Sequence, residues 1–271
     1  LNPSTISSEL RAAVYQQLDL VTRNSEFEQL DPVLANTPSG HTPYVLYNHL
    51  VLAHFMGESV PSDAFVSKGD RARSGWLNDP DAYLDDPRSG EYLPPTTATN
   101  FNQLWRWLFS SSYMTGPSHY SNDVGSLSGT PPRTVQRAST NRIWTMPTSI
   151  GVLGNRLASE VAHPAQKVLM FDEYDRYAGS FGQYFGFDDS RSIMVFYDGS
   201  AGRFATAKSD IGFSPNNPDF PTPSYRYTPV AGWDPPGAGE AIVPILYDQT
   251  RDGLQGIDYQ RGSVRRPIRS R

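Results

Sequence analysis

The 271 residues contain no cysteine, which excludes disulfides, thiol nucleophiles and every zinc site built on thiolate. Lysine is scarce as well: of 23 basic residues only Lys68, Lys167 and Lys208 are lysines. No apolar run approaches the roughly 20 residues that span a bilayer. The glycine-rich loops that cradle phosphates are missing. A serine hydrolase of the G-x-S-x-G type is equally unsupported. The formal net charge is −5, the wrong sign for a general nucleic-acid binder. Long uninterrupted helices are ruled out by 22 glycines and 23 prolines, so coiled coils, bundles and helical solenoids drop out.

What is present divides unevenly. Ile6, Leu10, Ala13, Val14, Leu18 and Val21 recur every three or four residues, which predicts an amphipathic helix within 1–30, stopped by Asp31-Pro32. A second helix is expected over 44–55, and a short one over 101–108. Apart from that helix, 61–134 reads as a long loop insertion, because Asn78-Asp79-Pro80-Asp81, Asp85-Asp86-Pro87 and Pro94-Pro95 are turn text. Strand text comes late, in 160–260. The run 167–171 suits a buried strand, and 193–204 reads as a hairpin whose turn is defined by Asp198 and Gly199. Seven prolines from Pro215 to Pro236 then argue for loop over most of 205–240. The expected fold class is α+β, in a single domain: an N-terminal amphipathic helix on a small antiparallel sheet, with long Pro/Gly-rich loops. The tail 261–271 carries Arg261, Arg265, Arg266, Arg269 and Arg271 and no acid. The chain opens at Leu1, which is read as a processed or trimmed start.

Catalytic constellations are hard to assemble. His49 and His54 are five apart, a poor spacing for metal ligands on one helix face. Carboxylates near strand ends, Asp172 and Asp188 among them, suggest a glycosidase-like pair, but little tryptophan accompanies them. Calcium candidates are Asp172, Glu173 and Asp175, hard oxygen ligands close in sequence though not in a spaced calcium-loop pattern. No other cofactor and no enzymatic activity are expected. The loop aromatics, among them Trp76, Tyr83, Tyr225, Tyr227 and Trp233, are expected to meet neighbouring copies of the chain, since such rings are enriched where subunits touch.

Three blocks resemble a known family. His163-Pro-Ala-Gln-Lys-Val-Leu-Met-Phe-Asp-Glu-Tyr-Asp-Arg-Tyr177, Ile193-Met-Val-Phe-Tyr-Asp-Gly-Ser200 and Gly253-Leu-Gln-Gly-Ile-Asp-Tyr259 are similar, in order, to the soluble part of prepilin-type, type II secretion pseudopilin-like proteins. The resemblance covers roughly 140–260. It implies a non-enzymatic structural subunit of a bacterial extracellular filament, a pseudopilus or pilus-like assembly. Its partners would be copies of itself and other subunits of the same assembly. Its place would be the cell surface or periplasm, anchored by a membrane segment not present here. An alternative is a virion capsid or decoration subunit whose arginine tail meets nucleic acid. A second alternative is a carbohydrate-active or calcium-binding domain.

Overall fold

A computed structural model describes residues 20–25, 49–95, 104–121, 123, 134–137, 144–145, 156–177, 182–215, 224–230, 233–234 and 237–259. The chain falls into two compact units, Leu1–Met114 with Pro229–Ala238, and Thr115–Thr228 with Gly239–Arg271. The whole is a mixture of helix and antiparallel sheet. Of the expected N-terminal helix, only 20–24 lies among the described residues; it is helical, with Val21 buried. The arginine tail lies outside them.

The first unit is helical. Helix α1 (His49–Met56) buries Leu50 and Ala53 while Leu52, Phe55 and Met56 stay exposed. Two further helices, α2 (Arg71–Asn78) and α3 (Pro80–Asp85), occupy the stretch expected as loop. The reason is capping. Asp70 accepts a hydrogen bond from the Arg73 amide at 3.1 Å, and Asp79 accepts one from the Ala82 amide at 3.0 Å. Pro80, at the first turn of α3, has no amide to lose there. Aspartate followed by proline is therefore a helix start here, not a turn.

These helices deliver rings to a core. Trp76 packs on Tyr83 at 5.0 Å and stacks on Trp233 at 5.8 Å, and its indole donates to the Tyr92 carbonyl at 2.8 Å. The helix expected at 101–108 appears as a 3-10 turn, Trp105–Phe109, buried throughout. Strand β1 (Tyr113–Met114) follows.

The second unit is built on antiparallel pairs. Short strands β2 (Gln136–Arg137) and β3 (Trp144–Thr145) form one of them. Strands β4 (Val168–Asp172), β7 (Arg191–Phe196) and β8 (Ala201–Ala205) run antiparallel in that order. Ser192, Met194 and Phe196 of β7 point to the core while the alternate residues do not, the period-two pattern of a half-buried strand. The 193–204 hairpin is present as expected, with Gly199 at φ +81°, a conformation that side chains with Cβ resist. Asp198 closes the turn by accepting from the Ser200 amide at 2.9 Å.

Between β4 and β7 lies the pair β5 (Tyr174–Asp175) and β6 (Gln183–Tyr184). A further pair joins β9 (Ser224–Tyr227) to β10 (Ala241–Pro244). Strand β9 stands inside the segment expected as loop, and buries Tyr225 and Tyr227 while Ser224 and Arg226 face out. Its rings join Tyr184, Phe185, Phe171 and Tyr247 in one aromatic cluster, with Tyr184 stacked on Tyr227 at 4.8 Å and Phe171 edge-on to Tyr247 at 4.6 Å. Burial pushes the Tyr247 phenol well above its ordinary pKa.

The loop aromatics expected at contacts between copies are therefore largely interior. Trp76, Tyr83, Tyr225 and Tyr227 are buried within their own units.

Candidate functional site

The acids singled out as calcium candidates sit where β4 turns into β5, and two of them, Asp172 and Asp175, hold guanidinium groups. Asp172 is buried; its Oδ1 accepts from the Tyr174 amide and from Arg176 Nε, each at 3.1 Å. Asp175 is buried and receives Arg203 Nη2 at 2.7 and 2.8 Å on its two oxygens, with the Arg191 amide at 3.0 Å. Glu173 is also buried, and its carbonyl accepts from the Phe185 amide at 3.0 Å. Asp172 and Asp175 are thus each paired with a guanidinium, that of Arg176 and that of Arg203. Among the described residues no group of three or more His, Asp or Glu side chains is arranged to hold a metal. Asp188, the other acid of the glycosidase-like pair, is exposed, as is His163.

A second polar cluster was not legible in advance. Lys167, fully buried at the start of β4, reaches Asp258 Oδ2 at 3.0 Å, and both side chains engage the Thr250 hydroxyl. The same carboxylate accepts from the Val168 amide at 2.9 Å. Burial raises the Asp258 carboxyl above its usual range, against the opposing pull of Lys167, Thr250 and Val168. Its signal in the sequence is faint: a lysine heading an apolar strand, in a chain with three lysines.

Beside this cluster His119 stacks flat on Tyr197, with ring centroids 5.4 Å apart and an 8° tilt. Its Nδ1 contacts the Gly116 carbonyl at 2.5 Å. Burial, reinforced by the positive charge of Lys167, pushes the imidazole down to about 4, so it is neutral at physiological pH. Burial pushes the Tyr197 phenol up to about 12. Neither group is poised to exchange protons near neutrality. Arg156 completes the region by bridging Asp123 at 2.7 Å and Glu160 at 2.9 Å.

The three blocks that carry the family resemblance meet here. The amides of Asp258 and Tyr259 donate to the Gln166 carbonyl at 3.1 and 3.0 Å. The Asp198 amide donates to the Pro164 carbonyl at 3.1 Å, and the Tyr197 amide to the Lys167 carbonyl at 3.2 Å. The Tyr259 ring packs on Phe204 at 5.1 Å and Phe196 at 6.3 Å. Chemically, this arrangement clamps segments far apart in sequence into one register.

Comparison with protein-family models, with curated proteins and with solved structures finds no match to this chain.

Proposed function

We propose that the chain is a non-enzymatic structural subunit of a bacterial extracellular assembly, a pseudopilus or pilus-like filament, and that its partners are copies of itself. The observation that carries this reading is the clamp of residues 163–177, 193–200 and 253–259 through Lys167, Asp258 and Gln166. The residues that resemble the pseudopilin group are joined to one another by hydrogen bonds, which supports the reading. A buried ion pair contributes less to net stability than to a single defined arrangement. A subunit that must repeat identically along a filament has use for such an arrangement.

The interior position of the loop aromatics moves the contact surface elsewhere. Phe55 is 82 % exposed and Ile242 62 % exposed, apolar side chains that gain from being covered. The test places a photo-crosslinking phenylalanine analogue at position 55 or 242, in the cells that make the protein. The expected result is a ladder of products containing only this chain, recovered from the extracellular or surface fraction. Monomer alone from both positions, or products confined to the cell interior, would overturn the reading.

A further inference from the structure

The second unit contains a cleft of about 340 Å³, within the range usual for small-molecule sites. Its walls include Ser118, Asp123, Thr134, Phe213, Gln249 and Asp252. Gln249 is the informative residue. It is 4 % exposed, and its Nε2 is committed to the Val135 carbonyl at 2.9 Å. Its Oε1 is buried with no hydrogen-bond partner among the described residues. A buried amide oxygen without a donor costs about 1–3 kcal/mol, so natural interiors seldom leave one without a use.

The chemistry of the walls narrows what would supply that donor. An apolar ligand would seal the oxygen away unpaired. A phosphate or other anion would meet Asp252 and the acceptor oxygen, while the guanidinium of Arg156 is held between Asp123 and Glu160 and that of Arg251 lies over the Phe213 ring. A calcium ion needs six to eight oxygens. The cleft offers two carboxylates, and the Asp123 charge is already matched by Arg156 at 2.7 Å. A neutral polyhydroxylated molecule meets none of these objections. Its hydroxyls donate to Gln249 Oε1 and Asp252 and accept from Ser118 and Thr134. The C–H face of a sugar ring suits the ring of Phe213, which Arg251 approaches to 4.7 Å.

We infer that this cleft is a binding site for a neutral saccharide of one or two rings. The site involves binding alone, with no bond made or broken. It lies wholly within the second unit, so it stands or falls independently of filament assembly.

The test is an amide and side-chain NMR titration of the full chain with glucose, galactose, mannose, N-acetylglucosamine and their common disaccharides, each at millimolar concentration. At least one sugar should give saturable shifts centred on the Gln249 side chain and residues 252–255. Gln249→Met, which keeps the length and removes the oxygen, should weaken that binding about tenfold or more. Because that change also removes the bond to Val135, Asp252→Asn serves as the variant at an exposed position, and it should weaken binding while leaving the spectrum otherwise unchanged. Asp188→Asn, an exposed acid outside the cleft, should bind as the parent does. Absence of shifts with every sugar would overturn the inference. So would equal affinity in the two cleft variants and the parent. Identical shifts produced by calcium chloride or methylammonium alone would mark a cation site and overturn it as well.

Discussion

In the helical unit the buried guanidinium of Arg73 meets Asp70, three positions away, at 2.6 Å. In the sheet unit Lys167 meets Asp258 after most of the unit's sequence has intervened. Both pairs are nearly devoid of solvent, yet they do different work. Asp70 is first the cap of α2 and only then a partner; Ser112 and Arg73 both donate to its Oδ2. Asp258 caps nothing. It accepts the amide that opens β4 and holds the last described segment of the chain against that strand. A local pair selects a helix start, whereas a distant pair selects one way of closing a sheet and is expensive to break.

The largest effect should follow from breaking the distant pair on one side. Asp258→Ala leaves the Lys167 ammonium buried without its counter-charge, and should lower the unfolding free energy by about 3–5 kcal/mol. Replacing both residues with apolar ones, Lys167→Met together with Asp258→Leu, should recover most of that loss because no charge is then left unpaired. Denaturant unfolding measures both. A loss below about 1 kcal/mol for Asp258→Ala would mean that the pair behaves like a surface contact, and the contrast between the units would collapse.

A smaller effect comes with acid, again in the sheet unit. His119 titrates at about 4 in the folded chain against an ordinary 6.5, because it is buried and faces the positive charges of Lys167 and Arg156. A depressed folded pKa means that the unfolded chain binds the proton first. The full stability is therefore present above pH 6.5 and is lost progressively as pH falls from there towards 4. The loss is expected to be about 2–3 kcal/mol. His119→Gln should flatten this part of the pH–stability profile. If the profile of the variant matches that of the parent between pH 6.5 and 4, His119 does not carry the acid sensitivity.

The same contrast explains what could be read from the sequence. The 193–204 hairpin was legible because its signals are local, a period-two alternation around Asp198-Gly199. The strand at 167–171 was legible as an apolar run. Strand β9 was not, although Ser224-Tyr-Arg-Tyr227 alternates, because the prolines around it pointed to loop. Helices α2 and α3 were missed because Asp79-Pro80 suits a turn as well as a helix start, and their length is settled by rings that pack on them. The clamp was invisible for a simpler reason. Nothing in the neighbourhood of Lys167 names a carboxylate some ninety residues downstream.

The mildest prediction tests the local side of the comparison. Asp79 Oδ1 accepts the Ala82 amide at 3.0 Å in an exposed setting, and it forms no ion pair among those of the described residues. Asp79→Ala should therefore cost about 1 kcal/mol, the ordinary value of a helix cap, with Asp79→Ser costing much less because the hydroxyl still caps. Hydrogen exchange should locate the damage. The amides of the first turn of α3, at Ala82 and Tyr83, should lose protection, while the β4–β7–β8 amides keep theirs. Protection lost equally in both places would mean that this cap supports the whole chain. The division into local helix starts in one unit and distant clamps in the other would then be wrong.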